Sequence, residues 1–347
     1  MLASSQRDLS APVSRAGAPK GKRGGEDLGG EDLSGETLNN GEIGFERPVP
    51  PGGYHWWYLD ALSDEGRHGL TVIAFIGSVF SPYYAWSGRG DPQDHCALNI
   101  GLYGAGGKRW AMTERNRATL RIAPQSLTIG PSALTWDGGG LTLDVDELAV
   151  PHFSRIKGRL RIFPEILIDQ HFRLDGQGLH DWRPIAPRAR IEVALQRPAL
   201  TWRGEAYLDC NWGGAPLEAG FQRWNWSRAS LREGAAVLYD VTRREGDGFA
   251  LALRFRRDGT VEDFDGPPAS PLPRTLWGIS RATQSEAGQP ARLEKTLEDT
   301  PFYARSLISA QILGEPVKAM HESLNLDRFA SPWVKLLLPF RMPRRRH

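Results

Sequence analysis

The chain has 347 residues, too many for one typical domain and about right for two. Its 40% hydrophobic content supports sizeable cores, and a net charge of +2 gives no overall field that would draw nucleic acid. Only two cysteines occur, Cys96 and Cys210, with no Cys-x-x-Cys spacing, which argues against a zinc ribbon or a dithiol redox motif. Two reduced thiols are the reading, and a single disulfide between them is the alternative.

Residues 1–44 contain no aromatic side chain, and Gly-Gly-Glu-Asp-Leu occurs in them twice. Such a segment buries too little apolar surface to offset its ordering entropy, which predicts a disordered Gly-rich extension. It also lacks the continuous apolar core of a signal peptide. The fold is expected to begin near Phe45. The most apolar stretch, residues 70–86, is interrupted by Gly77, Ser78, Ser81 and Pro82 and is shorter than the ~20 residues of a membrane-spanning helix. It predicts a buried strand at 71–75 followed by a pocket-lining turn.

Short alternating segments follow at 119–122, 127–129 and 134–136, and Asp137-Gly-Gly-Gly then turns the chain into 141–145. Further strands are predicted at 159–163, 190–195, 236–241 and 250–255. Many short strands without a long helical period predict an all-β fold of two tandem antiparallel β-barrels with few helices. We place an N-terminal barrel at 45–200 and a C-terminal barrel at 201–328, with the boundary after Gln196-Arg197-Pro198. Residues 329–347 form a basic, apolar tail whose Trp, Leu, Phe and Arg side chains suit an anionic membrane surface; a floppy terminus is the alternative.

Residues 204–228 carry the most chemistry. Tyr207 and Asp209 are two apart and share one strand face, with Trp212, Trp224 and Trp226 nearby. His180 and Trp182 repeat the two-apart pattern upstream. A carboxyl among aromatic rings is disfavoured in its charged form, so its pKa rises and it holds a proton at neutral pH. Aromatic faces stabilise a neighbouring cation. Together these suit protonation of an alkene. The competing reading makes each tryptophan a core residue, His180 a satisfied buried imidazole, and Asp209 a turn acceptor with a lowered pKa. Gly104-Ala-Gly-Gly-Lys108 lacks the full phosphate-loop pattern, and no Gly-x-Ser-x-Gly elbow occurs. His55, His95, His152 and His171 show no metal-ligand spacing, and Asp144, Asp146 and Glu147 read as a solvated face. No metal or cofactor is expected.

Several long strings are distinctive: Trp56-Trp57-Tyr58-Leu59-Asp60-Ala61, the run 70–84 ending Ser-Val-Phe-Ser-Pro-Tyr-Tyr, Asp94-His95-Cys96-Ala97-Leu98-Asn99, Trp110-Ala-Met-Thr-Glu-Arg115, and 207–228. On these the chain resembles the carotenoid 1,2-hydratase (hydroxyneurosporene synthase) family from about residue 45 to 329. The resemblance implies a lipocalin-like β-barrel fold and cofactor-free addition of water to the terminal C1–C2 double bond of acyclic carotenoids such as neurosporene or lycopene. It implies a catalytic set of His180, Trp182, Tyr207 and Asp209. Asp209 is then the acid, Tyr207 its hydrogen-bond partner, His180 the group that orients or deprotonates water, and Trp182 or a later tryptophan the cation stabiliser. Trp212, Trp224, Trp226, Trp57 and Tyr84 are the expected substrate-binding residues. The implied partners are the carotenoid, water and a membrane surface, with no nucleic acid. The implied location is peripheral, on the cytoplasmic face of an inner or photosynthetic membrane, without a transmembrane helix. An isoprenoid isomerase or cyclase, and a non-catalytic lipid carrier, are the rival functions of the same fold group.

Overall fold

A computed structural model describes residues 43–345 except 106 and 247. The extension predicted at 1–44 therefore lies, but for its last two residues, outside the described residues. The chain runs through β1 (Tyr54–Ser63), β2 (His68–Ile76), α1 (Pro82–Trp86), β3 (Cys96–Gly104), β4 (Arg109–Arg115), β5 (Leu120–Ala123), β6 (Ser126–Ile129), β7 (Ser132–Trp136), β8 (Leu141–Ala149), β9 (Ser154–Ile166), β10 (Phe172–Arg173), β11 (His180–Arg197) and β12 (Ala199–Gly213). Then come α2 (Leu217–Gly220), β13 (Phe221–Leu231), β14 (Gly234–Arg243), β15 (Phe249–Arg256), β16 (Val261–Asp263), β17 (Ala269–Leu272), β18 (Arg281–Gln284), β19 (Arg292–Asp299), β20 (Tyr303–Ile312) and β21 (Glu315–Asn325). Two short helices, α3 (Leu326–Ala330) and α4 (Pro332–Leu337), and a terminal strand β22 (Arg344–Arg345) complete it. The expected all-β fold with few helices is what the chain adopts.

The strands form two main antiparallel sheets. The larger runs β4-β3-β2-β1-β12-β11-β9-β8-β7-β6-β5, with β10 on β11 and β22 added parallel to β4. The smaller runs β16-β15-β14-β13-β21-β20-β19, and β17 and β18 form a separate ribbon. The boundary placed near residue 200 falls in the turn between β11 and β12, which are paired along their length in the larger sheet. The sheets change over only after Gly213. The long β11 is hidden in the sequence by Pro184 and Pro187. Neither can donate to the ladder, and the register of β11 on β12 shifts between Arg183 and Ala186 and again between Ala186 and Ala189. The expected Asp137 turn is present: its carboxylate accepts from the backbone N–H of Gly139 and Gly140 at 3.0 and 2.7 Å.

β1 and the second half of β12, residues 206–211, are buried on both faces, and alternation sends their side chains into two different cores. Trp57, Leu59 and Ala61 of β1 and Leu208 and Cys210 of β12 join Leu127, Leu143 and Ile162 inside the larger sheet. Trp56 and Tyr58, with Tyr207, instead meet Trp224, Trp226 and Tyr239 of the smaller sheet. Both sheets lie in one compact unit of the described residues. Cys96 and Cys210 are buried and free, so the disulfide alternative does not hold. Residues 329–345 are packed rather than loose. Phe329, Val334 and Met342 enter the core between the sheets, and Arg344 hydrogen-bonds Asp94 at 2.8 Å and pairs with Glu114.

Candidate active site

The register of two sheets assembles the site. In the larger sheet, pairing places Met112, Asn99, Ile73, Tyr58 and Asp209 in one row across β4, β3, β2, β1 and β12. In the smaller sheet, Arg305, Glu322, Trp226 and Tyr239 form a row across β20, β21, β13 and β14. All nine side chains line one cavity of about 330 Å³ between the sheets. Its other walls are largely apolar and include Trp56, Phe75, Phe80, Trp224 and Leu324.

Asp209 is 3% exposed and makes its hydrogen bonds through one oxygen. Oδ2 accepts from the Trp182 indole N–H at 2.9 Å and from the Tyr207 hydroxyl at 2.8 Å. Oδ1 has no partner among the described residues. Burial pushes the carboxyl up to about 8; the Trp182 and Tyr207 hydrogen bonds pull against this, and the negative charges of Glu322 and Asp60 add to it. Burial thus shifts Asp209 toward its protonated form at neutral pH. An indole N–H only donates, so with two donors on Oδ2 the proton belongs on Oδ1. Trp182 and Tyr207 are fully buried, and the Tyr207 hydroxyl is pushed far above its ordinary value by burial and by the Asp209 charge.

The remaining expected residues divide. Trp224 and Trp226 line the cavity. Trp226 lies 5.4 Å from the Tyr58 ring and 5.1 Å from the Tyr207 ring, between centroids. Trp212 does not line it: one step from Asn211, it points to the opposite face of β12, where the Arg47 guanidinium sits 4.1 Å from its ring. Trp57 fails for the same reason, being one step from Trp56; its indole N–H donates to the Ile43 carbonyl at 3.0 Å. Tyr84 is a packing residue, its hydroxyl bonded to the Gly53 carbonyl at 2.9 Å. His180 also lies off the cavity. Two residues before Trp182, it sits one strand step further along, enclosed by Phe221 and Tyr54, with Nδ1 2.9 Å from the Tyr54 hydroxyl. Burial lowers its pKa to about 4, so it is a neutral imidazole at pH 7. Its placement does not support the expected contact with a water beside Asp209.

A buried polar network escapes the sequence reading. The Tyr58 hydroxyl donates to Glu322 at 2.6 Å and lies 3.2 Å from Asp60. Arg228 holds Asp60 as an ion pair, its Nε 2.9 Å from Oδ1. Arg305 pairs with Glu322, and its Nε donates to the Tyr303 hydroxyl at 2.8 Å. One signal was available: Tyr58-Leu59-Asp60 repeats the triplet Tyr207-Leu208-Asp209. In the antiparallel pairing of β1 and β12, each tyrosine faces the other triplet's aspartate.

Residues 72–347 match the family model described as carotenoid hydratase CrtC. The chain belongs to the carotenoid hydratase family. It is 58% identical over 304 residues to the acyclic carotenoid 1,2-hydratase of Thiocapsa roseopersicina, covering 86% of this chain and 75% of that one. To the protein of the same name in Rubrivivax gelatinosus it is 53% identical, covering 87% and 76%. The hydratase fold recurs at low identity. A solved AttH-type protein of Nitrosomonas europaea matches with a TM-score of 0.57 at 13% identity, covering 84% of this chain and 97% of that one. Kievitone hydratase of Nectria haematococca matches with 0.51 at 11%, covering 84% and 98%. The lipocalin-like β fold is thus shared with proteins of only 11–13% sequence identity.

In this family member the cavity opens beside α4 and the loop before β18. Trp277, Leu337, Leu338 and Arg341 line that end. Leu276, Trp277, Trp333, Leu336, Leu337 and Phe340 are large exposed apolar side chains, and the Trp277 and Trp333 rings stack at 6.5 Å. No described helix is long and apolar enough to cross a membrane. Among the described residues no group of three or more His, Cys, Asp or Glu is placed to hold a metal ion. Asp144 and Asp146 pair instead with Arg159 and Arg155, and Glu147 with Arg115 at 2.7 Å.

Proposed function

We propose that this chain adds water across the terminal C1–C2 double bond of an acyclic carotenoid, such as neurosporene or lycopene, without a cofactor. The observation that carries the reading is Asp209: a buried carboxyl pushed up to about 8, with Oδ1 unpartnered among the described residues, on a residue that lines an aromatic cavity. One end of the polyene enters the cavity and the rest trails through the mouth. The Oδ1 proton passes to C2, and the electron pair of the double bond forms the new C–H bond. The tertiary cation left at C1 is stabilised by the faces of Trp224 and Trp226. A desolvated cation–π contact contributes about 2 kcal/mol, roughly thirtyfold in rate, so acid strength and positioning supply most of the acceleration. Water then captures C1 and gives the tertiary alcohol. Trp182 and Tyr207 act on the acid by solvating Oδ2 when it is charged, not by contacting the cation.

The test is incubation of the purified protein with lycopene in lipid vesicles in oxygen-18 water, without added cofactor. The expected product has gained one labelled water. An unlabelled isomer would instead assign an isomerase or cyclase, and unchanged lycopene with retained binding would assign a carrier.

The same reading makes the exposed apolar ring around the mouth a peripheral docking surface for the bilayer in which such a polyene dissolves. Leu276→Ser together with Trp277→Ser is expected to weaken sedimentation with anionic vesicles several-fold. Unaltered sedimentation would remove this role.

A further inference from the structure

His180 lies away from the cavity, so the capturing water needs another partner. Asn211 is 2% exposed and lines the cavity two residues after Asp209, on the same face of β12. Register places it between Trp56 on β1 and Trp182 on β11, neither of which offers an acceptor to its amide. The Tyr239 hydroxyl lies near the Asn211 side chain without forming a hydrogen bond to Nδ2. Its Nδ2 has no partner among the described residues, and neither does Asp209 Oδ1. Two unpartnered buried polar atoms thus lie one strand repeat apart, about 6.5–7 Å between Cα positions. A single water bonded to both, at about 2.8–3.0 Å from each, spans such a gap.

We propose that Asn211 is a catalytic residue that holds the attacking water through Nδ2, between itself and Asp209 Oδ1. The inference rests on the hydration reading above and assigns its second half. The bound water accepts a hydrogen bond from Nδ2–H. Once Oδ1 has delivered its proton to C2, a lone pair of the water forms the C1–O bond. The oxonium then loses one proton to Oδ1. Asp209 is restored as an acid, the alcohol is neutral, and one water is consumed. Hydrogen and hydroxyl arrive from the same side of the double bond.

The experiment follows two products at once, with the full chain and lycopene vesicles in deuterium oxide. A cation that is formed but not captured returns a proton and leaves deuterium in the recovered lycopene. Asn211→Leu is expected to lower hydration about 100-fold, the scale of a lost positioning contact, while deuterium in recovered lycopene persists or rises. Asn211→Ser keeps a donor and is expected to hydrate at least about tenfold faster than Asn211→Leu. Should the leucine variant fail to fold, Asn211→Ala takes its place in the same comparison. Native-like hydration in the apolar variant, or parallel loss of hydration and deuterium uptake in a folded protein, overturns the role of Asn211. If the native chain yields neither alcohol nor deuterated lycopene, it is the hydration reading that fails.

Discussion

Two Tyr-Leu-Asp triplets lie side by side in this molecule, and they do different things. Tyr58-Leu59-Asp60 and Tyr207-Leu208-Asp209 pair antiparallel, and both aspartates are buried. Asp60 faces Arg228, which holds it as an ion pair. Asp209 faces Trp182 and Tyr207, which donate hydrogen bonds but bring no positive charge. Identical residues at identical spacing thus sit in opposite surroundings: Asp60 is paired with a guanidinium, while burial raises the pKa of Asp209. The difference is made by the strand beyond: β13 supplies a cation to the first, and β11 supplies an indole to the second. The two are also linked, because the negative charge at Asp60 helps raise Asp209.

The largest effect is expected from Asp209→Asn, which copies the neutral acid's shape without its proton: turnover should fall on the order of 10⁴-fold, read by product formation. Burial holds Asp209 protonated up to about 8, whereas an unfolded aspartate ionises near about 4. Its contribution to stability is therefore fully present below about pH 4 and is lost as pH rises to about 8, by on the order of 5 kcal/mol. In thermal unfolding, the Asp209→Asn variant should be more stable than the native chain above about pH 8 and no different below about pH 4, if the substitution is otherwise neutral.

Next in size is Arg228→Met, which strands Asp60. Breaking a buried pair costs about 3–5 kcal/mol, measured by denaturant unfolding, and adding Asp60→Asn should recover most of it. Tyr207→Phe sharpens the contrast more gently. Losing one donor on Oδ2 removes about 1–1.5 kcal/mol of support for the charged form, so the acid weakens. Its alkaline activity limb should move up by about one pH unit, with a rate loss of about tenfold at pH 7. The smallest effect is expected from His180→Asn. It touches neither the cavity nor Asp209, so its rate should stay within about fivefold of native, a scale below the roughly 10²–10⁴-fold of a true acid–base group.

Much of the site is legible in the sequence because it is local. The Tyr207-x-Asp209 spacing fixes a shared strand face, and aromatic company predicts a raised carboxyl. Alternation alone should have removed Trp212 and Trp57, each an odd step from the cavity-lining residues Asn211 and Trp56. What no local pattern carries is partnership across the fold. Glu322 reaches Tyr58 across 264 positions of sequence, and only the register of β13 on β21 sets it opposite Trp226. β11 reads as a shorter strand because its two prolines argue against pairing, while in the fold they sit where the ladder is interrupted. The terminal segment looks loose because its arginines have no nearby carboxylates in sequence, yet Arg344 is held by Asp94 and Glu114 from a distant turn and strand.

Everything proposed for the reaction depends on Asp209 being a neutral acid at physiological pH. Infrared difference spectroscopy of the native chain against Asp209→Asn, titrated across the neutral and alkaline range, reads that proton directly. The carbonyl band of a protonated carboxyl is expected at neutral pH, fading near about 8 as the activity fades. A carboxylate band already complete well below neutral pH would contradict it.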